Sequence, residues 1–287
     1  GCSVDYEALA VSEKFKEYGA SSAEFQKFDL LSISFNVKIC FFINLYNALV
    51  IHGFAVIGPP TTVYQRLYFY NHTCYSIGGM MYSLNDIEHG ILRGNLKPHG
   101  SCRRMFSAQD PRLQSAVVVW DPRIHFALVR GTRSCPRLQV YEPEELDTML
   151  NAATAEFCEH QVQVTPIADA EGPAFNTYSV KQLKEFLAQH EVDFSGMLEK
   201  SDFITACSNI AVPRAGNGQP AKTKVHLARI FEWFRDDFGS TDQELLSWLV
   251  KHVSPPKASL LTSAIQAEDY IITFEKFDWS LNKWQKT

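Results

Sequence analysis

The chain is predicted to be an α+β protein, with a central buried helix packed on a small, mostly antiparallel sheet and an inserted helical pair. Three observations predict it. Residues 39–57, ICFFINLYNALVIHGFAVI, are apolar on nearly every side and stop at Gly58-Pro59-Pro60, so they read as an interior helix. Short strand-like segments flank Gly78-Gly79, the signature of a hairpin. Two helical patterns around a turn, in SVKQLKEFLAQHEVDFSGMLEKSDFITACSNI, follow a shift to small residues and proline over 161–178.

In chain order, residues 4–19 read as a short helix with Leu9, Val11, Phe15 and Tyr18 on its apolar side. After the central helix, Arg66–Tyr70, Cys74–Ile77 and MMYSL are read as strands. Asn85-Asp86 is placed to cap a helix over DIEHGILRGN. RIHFALV at 123–129 is read as a strand that leads into a tight loop, GTRSCP at 130–136. Pro143-Glu144-Glu145 opens a helix to about 159, its acidic residues at the positive end of the helix dipole. Ala215-Gly216-Asn217-Gly218-Gln219-Pro220 reads as a linker. HLARIFEWFRDDFG and 242–252 read as helices, and YIITFEKFDWSLN as a strand and turn.

Composition narrows the function. At 46% hydrophobic and 21% charged, the 287 residues belong with folded globular chains rather than disordered ones. Twenty-seven basic against 32 acidic residues give a net charge of −5, which disfavours a dedicated nucleic-acid binder. No membrane span and no signal peptide are expected, and the start at Gly1 rather than Met suggests a fragment of a longer chain. The seven cysteines, at 2, 40, 74, 102, 135, 158 and 207, include no CxxC pair, so free thiols in an intracellular, cytoplasmic setting are expected. Trp233, Trp248, Trp279 and Trp284 near the C-terminus suit a core or an interface, with Trp284 the most exposed.

Cys135 is the thiol best placed for chemistry. It lies in a loop rich in Gly, Thr, Arg and Ser, where backbone N–H groups are available, and Arg133 and Arg137 flank it. A cysteine nucleophile needs a base and a group to orient that base. His125, or His89 next to Glu88, is the candidate base, with Glu88, Asp86 or an Asn as its partner. An inert cysteine and core histidines are the bland alternative. Asn44 and Asn47, three apart on one face of the apolar helix, either fix neighbouring loops or orient a catalytic group. The histidines with a carboxylate suit a metal, but no HExxH-type spacing supports one, so neither metal nor cofactor is expected.

Four blocks in order, FFINLYNALVIHGF, YSIGGMMYSLNDIEHGILRGN, DPRIHFALVRGTRSCP and FDWSLN, resemble the domain of unknown function family numbered 547. The resemblance covers about 30–165 and resumes over about 222–283. It divides the chain into an N-terminal helical segment (1–29), a first part of the family domain (30–165), an insert (175–212) and a second part (222–287). It implies recurrent polar residues at Asn44, Asn47, Glu88, His89, Asp121, Arg123, His125, Arg133 and Cys135. Arg130 stands where the family commonly has Cys, which argues against a two-cysteine redox or metal loop. The insert resembles a SAP-like helical module. Its lysines are outnumbered by acids, so a protein partner bound through 179–207 is expected rather than nucleic acid.

The expected activity is a thiol-dependent hydrolase or acyltransferase, similar in element order to papain- and transglutaminase-like folds. It would act on a peptide, isopeptide or γ-glutamyl amide bond, with Cys135 as nucleophile, His125 or His89 as base, and Glu88 orienting it. Asn44, Asn47, Asp121, Arg123 and Arg133 would shape the site. The alternative is a non-catalytic protein-interaction or scaffold domain, in which the SAP-like insert recruits the partner.

Overall fold

The structure, a computed structural model, describes residues 4–167, 175–211 and 221–282. The 215–220 linker and Trp284 lie outside the described residues. The chain divides into two compact units, one formed by 1–157 with 277–287 and the other by 158–276.

The first unit contains α1 (Tyr6–Val11), α2 (Glu13–Ser21), α3 (Phe35–Val56), α4 (Val63–His72), the hairpin β1 (Cys74–Ile77) and β2 (Met80–Ser83), and most of α5 (Leu146–Gln161). The expected helix over 4–19 is two helices, because Ser12 leaves α1 extended and its hydroxyl accepts the Phe15 N–H to start α2. α3 is the central helix. Phe42, Ile43 and Tyr46 are fully enclosed, and each such side chain contributes about 1.5–3 kcal/mol by leaving water. Among the described residues α3 alone is long and apolar enough to cross a membrane; here its apolar surface forms the protein core.

The structure corrects the sheet. α3 packs on α1, on the helical turn at 86–92 and, through Phe42 against Tyr82, on the hairpin, and among the described residues the strands of its unit form just the two-stranded β1–β2 pair. Residues 66–70 are not a strand but lie in α4. Thr62 accepts the Gln65 N–H and Gln65 bonds back to Thr62, a capping box legible in the order Thr62-Val63-Tyr64-Gln65. Residues 123–129 are not a strand either. Pro122–Phe126 is a 3-10 helix capped by Asp121, and Ile124 to Arg130 are all buried, with none of the alternation that a half-exposed strand shows. The same device occurs eleven residues earlier. In both Asp110-Pro111-Arg112 and Asp121-Pro122-Arg123, the Asp accepts the Arg backbone N–H at 2.9 Å and the Arg side chain folds back onto it.

Three asparagine amides do the work that neighbouring strands do in a sheet. Asn47 donates to Ala127 O at 2.9 Å and accepts from Val129 N at 2.8 Å. Asn44 brackets both backbone groups of Tyr141, and Asn95 both of Phe106, each at 2.9 Å. At Ala127 and Val129 the buried backbone is therefore satisfied by a side chain rather than by a neighbouring strand.

The second unit contains β3 (Val162–Pro166), α6 (Val180–Gln189), α7 (Lys200–Ala211), β4 (Thr223–Leu227), α8 (Ile230–Trp233), α9 (Arg235–Phe238), α10 (Asp242–Val250), α11 (Pro255–Ala267) and β5 (Tyr270–Phe274). Its sheet has the order β3-β4-β5, with β3–β4 antiparallel and β4–β5 parallel. β3 and β4 went unread in the sequence: β4 takes the His226-Leu227 start of the expected helix, which survives as the short α8 and α9. The expected helical pair is present as α6 and α7, with a small core of Phe175, Leu183, Leu187, Phe203 and Cys207.

Replacing Asn47 with Ala strands a buried carbonyl and a buried N–H, so the variant is expected to lose about 2–4 kcal/mol in urea unfolding. Asp121→Ala, which removes a cap at a half-buried position, is expected to lose about 1 kcal/mol.

Candidate functional site

The polar residues of the first unit converge on a buried cluster. Residues Asp86–Leu92 form a π-helical turn, with the Arg93 N–H bonding Glu88 O at 3.0 Å, and this wider turn carries Glu88 and His89 into the interior. Gly90 in this turn allows the Phe106 ring to close on it; a Cβ there would lie 2.4 Å from the ring. The expected cap is different in detail, since Asn85 makes no capping bond and Asp86 reaches back to the Ser83 N–H and hydroxyl.

Glu88 is 2% exposed. Its Oε1 accepts from Arg130 at 2.5 Å and its Oε2 from the Tyr46 hydroxyl at 3.1 Å. Burial alone would raise the pKa of this carboxyl, but Arg130 above all outweighs it and holds Glu88 down at about 2. His89 is pushed down to about 4, by burial and then by Arg93, Arg130 and His125 against the pull of Glu88. It is neutral at pH 7, and its Nδ1 accepts from Arg93 at 3.0 Å. His125, on the 3-10 helix, is fully buried and lies within the electrostatic reach of Glu88 and His89.

Cys135 lies beside this cluster, not in it. Its Sγ takes the Arg130 backbone N–H at 3.1 Å and lies 3.0 Å from Thr132 Oγ1. The Cys135 N–H closes the turn on Thr132 O at 3.2 Å. Arg130 is the link: its guanidinium holds Glu88, and its N–H holds Cys135. The phenols of Tyr6 and Tyr70 complete the surroundings. Tyr6 is pushed up to about 12 by burial and by Cys135, and Tyr70 is raised mainly by burial. Gly131, at φ +68°, makes the turn possible, and a Cβ there would meet the Phe54 ring at 2.4 Å.

The loop is stitched to the end of the chain. Thr132 bridges Leu281, Arg133 N–H bonds Ser280 O at 3.0 Å, and Asn282 N–H bonds Gly131 O at 3.1 Å. Between them opens a cavity of about 320 Å³, lined by Phe54, Arg66, Tyr70, Arg130, Thr132 and Trp279, among others. Both residues that contact the Cys135 sulfur therefore also line the cavity.

The remaining candidates are placed as follows. Asn44 and Asn47 hold backbone, as described above. Asp121 and Arg123 pair with each other at 2.6 Å, and Arg123 reaches Asp147 at 2.8 Å and Asn151 at 2.7 Å. Their bonds run to α5, and none reaches the Glu88 cluster or Cys135. Arg133 projects outward from the loop. Sequence reasoning missed Tyr6, Tyr46, Tyr70, Arg93, Arg130 and Thr132 as site residues. Arg130 had a signal, as a lone charge at the end of the apolar run Phe126-Ala127-Leu128-Val129. Among the described residues, no three His, Cys, Asp or Glu side chains group as a metal site.

With this geometry in place, the comparison with known families is informative. Residues 30–158 match DUF547, a family described as a protein of unknown function. The matched stretch ends within a residue of the boundary between the two units and contains α3, the Glu88 turn, Arg130 and Cys135. No curated protein and no solved structure matches the chain.

The acid response follows from the cluster. Glu88 and His89 both have folded pKa values below their unfolded ones, so each contributes stability that is complete above its unfolded pKa and lost as pH falls. For His89 the loss runs from about 6.5 to 4, and for Glu88 from about 4.5 to 2. The Glu88 part amounts to about 3 kcal/mol. Glu88→Gln is expected to lose about 3–5 kcal/mol at pH 7, because Arg130 is left buried without its anion. Between pH 5 and 2 its stability is expected to fall less steeply than that of the wild type, as read by urea unfolding across pH.

Proposed function

We propose that the protein is a thiol-dependent hydrolase or acyltransferase with Cys135 as nucleophile, acting on a peptide, isopeptide or γ-glutamyl amide bond. The observation that carries this reading is the pair of polar contacts at the Cys135 sulfur, from Arg130 N–H and Thr132 Oγ1, beside a cavity that the same two residues line. Such donors solvate the negative charge of a sulfur poised to attack.

In the proposed reaction the thiolate attacks the amide carbonyl carbon and a C–S bond forms. The C–N bond then breaks, and the leaving amine takes a proton. Water, or a second amine, attacks the thioester and returns the sulfur. His125 or His89 is the proposed acid–base group, with Glu88 ordering it. Its proposed task lies at the leaving nitrogen and the incoming nucleophile.

The reading extends to a papain- or transglutaminase-like arrangement of the central helix, with one difference. Those enzymes open that helix with their cysteine, and the nearest thiol here is Cys40. It is buried, and its thiol is pushed up to about 11 by burial and by Glu144, which favours Cys135 as the nucleophile. The proposed setting is intracellular and cytoplasmic, where Cys40, Cys74, Cys102, Cys135, Cys158 and Cys207, free in the structure, stay reduced. In the same proposal the α6–α7 pair is a SAP-like insert that recruits a protein partner.

A second reading, a non-catalytic interaction domain, is favoured by one feature. α4 turns Val63, Tyr64, Leu67 and Tyr68 to solvent, an apolar face of the kind that partners cover.

Iodoacetamide labelling followed cysteine by cysteine against pH separates the readings. Cys135 is expected to alkylate faster than the exposed Cys102 and to slow when His125 or His89 is replaced. Incubation with a γ-glutamyl or peptidyl thioester is expected to leave an acyl group on Cys135, seen by mass spectrometry and absent in Cys135→Ser. A Cys135 that alkylates no faster than Cys102 and never acylates overturns the enzyme reading.

A further inference from the structure

We propose that the cavity beside Cys135 holds a carboxylate on the guanidinium of Arg66, so that the favoured acyl donor carries a free carboxylate on its acyl side. The proposal deepens the thiol reading and selects the γ-glutamyl class of amide over an internal peptide bond.

The charges lining the cavity are unequal in their partners. Arg130 is matched by Glu88 at 2.5 Å. Arg66 is not matched: its bonds among the described residues are one donation from Nη1 to Thr61 O at 3.1 Å and a stack over the Trp279 ring, with its central carbon 4.4 Å from the ring centroid. Among the described residues no Asp or Glu lines the cavity. A cation left without an anion at the wall of a cavity whose other cation is already neutralised gives that cavity a net positive field.

The stack also sets the geometry. The Arg66 guanidinium carbon is held over the Trp279 ring by cation–π attraction, and the one donation, from Nη1 to Thr61 O, leaves Nε and Nη2 available on the same edge. Nε and Nη2 then present the fork that takes a carboxylate through two parallel bonds. Trp279 is itself positioned by the chain end that is stitched to the Cys135 loop, through Arg133 N–H to Ser280 O and the Thr132–Leu281 bridge. Arg66 and the nucleophile loop are therefore tied to one structural piece, and the distance from carboxylate to thiol is set by that piece.

Size and surface complete the argument. About 320 Å³ is at the small end of ligand pockets, room for a short acyl group rather than a folded peptide. Phe54, Pro59, Pro60 and Leu281 supply apolar walls for the methylene carbons between the carboxylate and the scissile carbonyl. The FDWSLN block, whose Trp279, Ser280 and Leu281 form one wall, thereby gains a role in binding.

The probes are glutaramate, a monoanion with a carboxylate three methylenes from an amide, and glutaramide, its neutral isostere. Binding is read on the full chain from the Trp279 indole N–H signal in a ¹H–¹⁵N spectrum, assigned with Trp279→Phe. Glutaramate is expected to shift this signal and glutaramide to leave it in place. Arg66→Gln is expected to weaken glutaramate binding by about tenfold or more, with an unchanged melting transition, and Arg66→Lys to restore part of it. Equal shifts from both probes, no shift from either, or undiminished binding to Arg66→Gln overturns the subsite. Glutaramate that binds to Arg66 in a protein whose Cys135 never acylates keeps the carboxylate subsite and overturns the thiol reading instead.

Discussion

The buried ion pair between Arg130 and Glu88 is the constraint around which the first unit is organised. Both groups are almost wholly out of water, so neither can be left alone, and each fixes the other's position at 2.5 Å. The pair orders more than itself. Glu88 takes the Tyr46 hydroxyl from the central helix, and the Arg130 backbone reaches the Cys135 sulfur, so the core helix, the π-helical turn and the cysteine loop share one electrostatic centre. A hydrophobic pair of the same volume would pack as well or better, but it would not specify which oxygen faces which helix.

A unit whose described strands make up one two-stranded hairpin must satisfy much of its buried backbone by other means. The amides of Asn44, Asn47 and Asn95 act as short substitutes for strands, each offering one donor and one acceptor to a passing stretch of backbone. The two Asp-Pro-Arg segments do the same at helix starts, where proline has no N–H to satisfy and the Asp accepts the next one. These devices let irregular chain run through the core, and irregular chain is what can present a backbone N–H to a thiol or line a small cavity.

Much of this was legible in the residues. The continuous apolar run of 39–57, the Gly78-Gly79 turn, the start of α5 and the two amphipathic patterns within 179–210 are local signals, and each became the element it named. The misreadings were local too. Arg66–Tyr70 looked extended because it is rich in aromatic residues, and the Thr62–Gln65 capping box was the better guide. The segment 123–129 looked extended because it is apolar and β-branched in part, although Asp121-Pro122 already announced a helix start.

What the sequence by itself determined, then, is whatever depends on neighbours within a turn or two: the core helix, the hairpin, the caps and a cysteine in a backbone-rich loop. Only the tertiary structure decided the partnerships. Arg130 meets Glu88 across 42 residues, and Asn47 meets Val129 across 82. Trp279 comes under Arg66 from the far end of the chain. The physical reason is that such pairs are chosen by the packing of distant segments and by the cost of burying a charge or a backbone group unpaired, and neither leaves a periodic trace in the residues around them.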